Sequence, residues 1–243
     1  MLSHVVALSG GKDSTAMALR LRELNPDVPY QYICTPTGDE LPEMQAHWEL
    51  CERLLGAPLI RLGKPGVTLD SLITGFKALP SHRMRWCTRM LKIDPAKAYM
   101  QKLSGDSVMY VGLRADEEER QGLLWSGGTR FPMREWGWKV GDVWAYLAKR
   151  GVKIPRRTDC ARCYHQRLVE WKTLWAQHPD LYASAVAQEE VTGHTFRSPG
   201  RDEWPAKLSE LAKEFAKGRK LRGESAYRER VANGEAPCRV CSL

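Results

Sequence analysis

A short apolar run, HVVALS at residues 4–9, ends in two glycines, a lysine, an aspartate and a serine, and a helical pattern, STAMALRLREL at 14–24, begins at once. A strand that turns so tightly into a helix is the opening unit of a parallel sheet, because the helix carries the chain back over the sheet before the next strand is laid. The first half repeats this alternation. YQYICT (30–35), PLIRLG (58–63) and SVMYVGLR (107–114) are expected as strands. PEMQAHWELCERLLG (42–56) is expected as a helix opened by Pro42 and stopped by Gly56, and CTRMLKIDPAKAYMQKL (87–103) as a helix broken at Pro95. The expected fold class is therefore α/β, a parallel twisted sheet flanked by helices. The second half changes character. FPMREWGWKVGDVWAYLAKRG (131–151) carries an aromatic-rich helix, and helices are expected at 165–177, 180–192 and 205–218, with a polar loop near 193–204 and a basic tail. These form a helical C-terminal lobe, with a division expected between 1–155 and 156–243. Trp136, Trp138 and Trp144 read as core, and two of the three residues Glu117–Glu119 as solvated.

The loop itself points to an anion. At the carboxyl edge of a parallel sheet, adjacent glycines let backbone N–H groups approach a phosphate, and the helix behind them favours negative charge. Ser9 and Ser14 add hydroxyls and Lys12 a cation. The spacing is neither GxxxxGK[ST] nor GxGxxG. Ser9, Gly10, Gly11, Lys12, Asp13 and Ser14 are the candidate nucleotide-binding residues.

The formal charge of +8 is concentrated at Arg83–Lys92, Lys149–Arg167 and Lys207–Arg230, and a basic balance of this kind fits a polyanionic partner. No apolar run approaches the roughly 20 residues of a membrane helix and the chain opens on a strand-like segment, so a cytoplasmic protein with no membrane partner is expected. Seven cysteines occur. In a reducing compartment the pairs CARC (160–163) and CRVC (238–241) suggest metal or redox chemistry rather than disulfides. Cys34 and Cys51 read as buried apolar residues.

SGGKDS resembles the SGGxDS pyrophosphate loop of the ATP pyrophosphatase superfamily. CTPTGDELPEM (34–44), RWCTRMLKIDP (85–95), VGLRADEEER (111–120) and FPMREWGWKVGDVWAYLAKRGVKIP (131–155) resemble, in order and spacing, segments of the phosphoadenosine phosphosulfate (PAPS) reductase family. The resemblance runs from residue 4 to about 175. It implies an adenine nucleotide alpha hydrolase-like fold binding ATP or a related adenylyl nucleotide with Mg²⁺, and Lys12, Asp13 and Arg114 as catalytic residues. Arg114 and Arg120 are expected to clamp phosphate or sulfate oxygens, and Asp39 with Glu40 to hold ribose hydroxyls or Mg²⁺.

In the family the corresponding cysteines bind a [4Fe–4S] cluster in those members that have one. Cys87, Cys160 and Cys163 are the ligands that transfer; Trp86 stands where a tandem cysteine is usual, and Cys238 or Cys241 is a candidate for the fourth position. Zn²⁺ on four thiolates is the competing metal. The tail, APCRVCSL, lacks the Glu-Cys-Gly context of true sulfonucleotide reductases. The chain is thus closer to the relatives that transfer sulfur to tRNA or DNA, and the resemblance implies an iron–sulfur ATP pyrophosphatase with a nucleic-acid acceptor and a sulfur-donor protein. A sulfonucleotide reductase using Cys238 or Cys241, and a non-catalytic nucleotide- or nucleic-acid-binding module, are the alternatives. Homodimerisation is left open.

Overall fold

The computed structural model describes residues 2–103, 106–120 and 128–232. Its sheet contains β1 (Ser3–Ala7), β2 (Tyr30–Cys34), β3 (Leu59–Arg61), β4 (Ser107–Tyr110) and β5 (Thr129–Arg130), in the order β3-β2-β1-β4-β5 with every pairing parallel. Alternate residues feed two cores, as the period-two geometry of a strand requires. Val6, Leu8, Tyr32, Cys34, Val108 and Tyr110 pack with α1 (Lys12–Leu24), α2 (Pro42–Leu55) and α7 (Val140–Lys149) on one face. Val5, Ala7, Ile33, Met109 and Val111 pack on the other with Met100 of α5 (Asp94–Lys102). The expected α/β class holds, and Trp136, Trp138 and Trp144 pack against the first core.

A third core is helical. Leu69 and Ile73 of α3 (Leu69–Phe76) meet Trp171 and Leu174 of α8 (Leu168–Gln177), Tyr182 and Ala185 of α9 (Pro179–Thr192), and Leu208, Leu211 and Phe215 of α10 (Leu208–Ala216). This core draws residues from both sides of position 155.

Four details differ from the sequence expectation, each for a local reason. The helix α3 was not anticipated; it is started by a reciprocal cap between Thr68 and Ser71. Pro95 does not break its segment, because it sits in the first turn of α5, and the chain reaches α5 through α4 (Trp86–Thr88) and a π-helical turn, Arg89–Ile93. A wider turn absorbs the backbone donor that proline lacks. The segment 131–151 divides into α6 (Pro132–Glu135) and α7 at Gly137, whose φ of 67° is left-handed. The basic tail begins as a further helix, α11 (Glu224–Ala232).

His47 of α2 is buried against α1, with Nε2 3.3 Å from Thr15 Oγ1 and 3.6 Å from Cys51 Sγ. Burial pushes its pKa down from 6.5 to about 4. The unfolded chain takes up a proton below about pH 6.5 that the folded state refuses, so this residue's contribution to stability falls as pH drops from 6.5 towards 4. Relative to wild type, His47→Gln should lose about 2 kcal/mol less stability between pH 7 and pH 4.5. Urea unfolding at the two pH values measures this; equal losses would refute it.

Candidate active site

The chain builds outward from β1 in one direction through β2 and β3, then crosses back to lay β4 on the other side of β1. The carboxyl ends of β1 and β4 therefore flank a topological switch point, where open α/β sheets bind ligands. The Gly-Gly loop occupies it. Gly10 has φ +86°, and a Cβ there would stand 2.7 Å from both Met44 Cε and Trp48 Nε1. Trp48 donates from Nε1 to the Ser9 carbonyl at 3.1 Å, which pins the loop from the side of α2. On the side of β4, a Cβ on Gly112 would approach the Ser14 nitrogen to 3.1 Å. Close approach favours glycine at both places, and at Gly10 the left-handed backbone favours it as well.

Gly11 caps α1 without any side-chain acceptor. Ser14 Oγ donates instead to the Gly11 carbonyl, at 3.1 Å, and lies 3.0 Å from Ser9 Oγ. The first-turn amides keep their capacity to donate, and the helix dipole adds to their attraction for an anion.

Asp13 collects the charges. Its Oδ2 accepts from Lys12 Nζ and from Arg114 Nη1, both at 2.8 Å. Its Oδ1 is buried with no partner among the described residues. Arg114 also donates from Nε to Asp116 at 2.8 Å. Glu117 accepts from the Arg114 backbone at 3.3 Å and from Arg120 at 2.5 Å, while Arg134 donates to the carbonyls of Glu117, at 2.6 Å, and Arg120, at 2.5 Å. Glu118 and Glu119 are exposed. Burial works against the Arg114 charge, but Asp13 and then Glu117 outweigh it and hold the guanidinium above its ordinary pKa. Two cations held on one carboxylate, beside free helix amides, form a site whose counter-ion a phosphate oxygen can supplement or replace.

Asp39, the expected ribose or Mg²⁺ contact, is paired with the CARC turn. It is 3% exposed. Its Oδ2 accepts from the Arg162 backbone at 2.8 Å and its Oδ1 from Arg162 Nε at 2.6 Å. The same guanidinium reaches Asp70 at 2.7 Å and Ser184 at 2.8 Å. Glu40 is turned back on its own loop, accepting from Thr37 and Gly38. This loop holds the CARC turn: Ala161 donates to the Asp39 carbonyl at 2.6 Å, and Thr37 Oγ1 lies 3.2 Å from Cys160 Sγ. Arg157 backs the turn from within, donating to the Cys160 carbonyl at 2.7 Å and to Gln166 at 2.9 Å.

Cys87, Cys160 and Cys163 all lie within electrostatic reach of Lys92. Burial pushes Cys160 up to about 12, raises Cys163 well above the ordinary thiol value and raises Cys87. Cys238 and Cys241 lie outside the described residues. Among the described residues no three His, Cys, Asp or Glu side chains are gathered closely enough to hold a metal ion. The three described thiols share the neighbourhood of Lys92 and form no ready site for a single metal ion such as Zn²⁺ by themselves. Asp13 Oδ1, an orphaned buried carboxylate oxygen, has the donor chemistry that suits Mg²⁺. Arg162, Arg157, Lys92 and Arg134 went unnoticed as organisers of the site; the signal for the first was an arginine between the two cysteines of CARC.

The model of the phosphoadenosine phosphosulfate reductase domain matches residues 3–157. The chain belongs to that family. It is thereby a member of a family of nucleotide-binding enzymes. An uncharacterized protein, MJ0066, of Methanocaldococcus jannaschii is 26% identical over 196 residues, which are 73% of this chain and 39% of that protein. The chain thus matches well under half of that relative's length. The PAPS reductase from Candida auris, solved with phosphate, aligns at 17% identity with a TM-score of 0.47, covering 63% of this chain and 74% of that one. NMN synthetase from Francisella tularensis aligns at 12% identity with a TM-score of 0.44, covering 96% and 83%. Among the described residues no helix is long and apolar enough to cross a membrane.

Two substitutions test this geometry. Arg162→Ala leaves Asp39 buried and unpaired, and should cost about 3–5 kcal/mol in denaturant unfolding. Gly10→Ala should both destabilise the protein and abolish measurable nucleotide binding by calorimetry, since backbone and neighbours resist the added methyl together. Retention of wild-type affinity would show that the loop tolerates another shape.

Proposed function

We propose that the chain is an adenylyl-activating enzyme that cleaves ATP between the α- and β-phosphates and readies an acceptor for sulfur transfer. The observation that carries this reading is the uncapped N-terminus of α1, with Lys12 and Arg114 both held on Asp13 at 2.8 Å. An acceptor oxygen attacks the α-phosphorus, the α–β anhydride bond breaks, and pyrophosphate leaves with the electron pair. A sulfur donor at the sulfide level then attacks the activated carbon; a C–S bond forms as the C–O bond breaks and AMP leaves.

In this scheme the loop amides and Lys12 take up the negative charge that develops on pyrophosphate, and Arg114 orients the phosphate chain by its planar fork. Asp13 keeps both cations in place before the nucleotide arrives. Mg²⁺, held through Asp13 Oδ1 and the phosphates, would supply further charge neutralisation. Region 1–155 would then serve as the nucleotide half and 156–243 as the acceptor half, with a nucleic acid as acceptor and a separate protein as sulfur donor. No step is assigned to an iron–sulfur centre or to Zn²⁺.

The family match supports one other reading, a sulfonucleotide reductase. Release of pyrophosphate from ATP favours the first reading; release of sulfite from a sulfonucleotide with a thiol reductant favours the second. Loss of one charge-assisted contact predicts that Lys12→Ala weakens ATP binding about tenfold or more, measured by calorimetry with Mg²⁺ present. An unchanged dissociation constant would remove the loop from the reaction.

A further inference from the structure

Parts of the two later basic stretches are paired within the fold, although Lys149, Lys153, Arg156, Lys207, Lys213, Lys220 and Arg222 are exposed and outside the described ion pairs. Within 149–167, Arg150 is paired with Glu23, Arg157 with Asp159, and Arg162 with Asp39 and Asp70. Within 207–230, Lys217 and Arg219 are both on Glu214, and Arg219 lies 4.0 Å over the Trp204 ring. In the first stretch Arg83, Arg85 and Arg89 are exposed, as is Lys77 just before it, and none of the four is in an ion pair with a described carboxylate. What sets this stretch apart is that its exposed cations stand among exposed apolar groups.

Apolar and aromatic groups are interleaved with it. Phe76 is 49% exposed and stands edge-on to Trp86, with ring centroids 5.3 Å apart; Met84 is 46% exposed. The exposed His82 ring lies 4.4 Å from His165 and 5.2 Å from Tyr164. Arg85 and the exposed Arg201 are both near enough to His165 to disfavour its protonation, and Tyr164 feels both Arg85 and Cys87. The surface therefore adjoins the thiols.

We propose that this face, Phe76–Arg89 with His165, binds an unpaired segment of RNA, its bases against the Phe76–Trp86 and His82–His165 rings and its phosphates on Lys77, Arg83, Arg85 and Arg89. A duplex hides the π-faces of its bases and would leave Phe76 and Met84 facing water. An acidic peptide would answer the arginines but not the rings. Unstacked bases next to phosphates answer both, and RNA loops are where such bases are regularly presented. The inference deepens the acceptor half of the proposed function and rests on that reading.

The test is binding of the full-length protein, without ATP, to a fluorescein-labelled mixed-sequence RNA oligonucleotide, followed by anisotropy over a series of salt concentrations. The single strand should bind about tenfold more tightly than the same RNA in duplex form. Phe76→Ala should weaken binding about tenfold and leave the salt slope unchanged. The double variant Arg83→Ala, Arg89→Ala should reduce the log–log salt slope by about 1.4, two phosphate contacts at about 0.7 each. Equal affinity for the duplex, tighter binding of the matching single-stranded DNA, displacement by polyglutamate at equal charge concentration, or an unaltered slope in the double variant would each overturn the assignment. Pyrophosphate release from ATP by the wild-type protein is measured separately. RNA binding can therefore fail while the adenylyl reading stands, and the reverse.

Discussion

The structure depends on how closely the end of β4 is pressed against the start of α1. A Cβ at position 112 would crowd the backbone of Asp13 and Ser14 to 3.1–3.2 Å, and one at position 10 would stand 2.7 Å from Met44 and Trp48 on a left-handed backbone. Those two contacts hold the first-turn amides of α1 in place from opposite sides. They also set the distance across which Asp13 and Arg114, 101 residues apart in sequence, form their ion pair. A polar constellation at a switch point is useful only if it is held before the ligand arrives, and here close packing around the two glycines, with the Trp48 bond to the loop, does the holding.

A second interaction joins the nucleotide corner to the cysteines. Asp39 follows β2, Arg162 lies inside CARC, and their pairing is buried on both sides. Isolated buried ion pairs often contribute little net stability against an apolar alternative, because desolvation offsets the attraction. What this pair contributes is position. It is completed by the backbone bond from Ala161 to Asp39 and by the reach of Arg162 to Asp70 on α3, so the cysteine turn, the loop after β2 and α3 are tied together. The basic composition, read only as a total, conceals this: part of the positive charge serves as internal mortar, and part faces solvent.

The alternation of strands and helices, the loop after β1 and the pairing of segments with the PAPS reductase family were legible from sequence, because each depends on residues close together in the chain. What was not legible depended on distant partners. Nothing in TGDE signals that Asp39 pairs with Arg162, 123 residues away. The eight residues of α3 carry too short a period to stand out, and the two residues of β5 carry none. Pro95 suggested a break because proline removes a donor; the π-helical turn before it shows that a wider turn can accommodate the same loss. Glu117 differs from Glu118 and Glu119 only through Arg114 and Arg120, a distinction that identical residue types cannot reveal.

The thiols show how burial and charge compete at the centre of the molecule. Desolvation alone would keep Cys160 and Cys163 protonated at neutral pH, and it prevails over the opposing pull of Lys92. The neighbouring carboxylates Asp39, Glu40 and Asp159 push in the same direction as burial. Any chemistry that used these sulfurs as anions would need more positive charge than the interior supplies. The arginines that could provide it, Arg83, Arg85 and Arg89, face outward from the same segment that carries Cys87. Arg85 belongs to both settings: it is exposed, yet its charge reaches Cys87 and opposes the effect of burial there, so the exterior cations and the interior thiols are coupled through one stretch of chain.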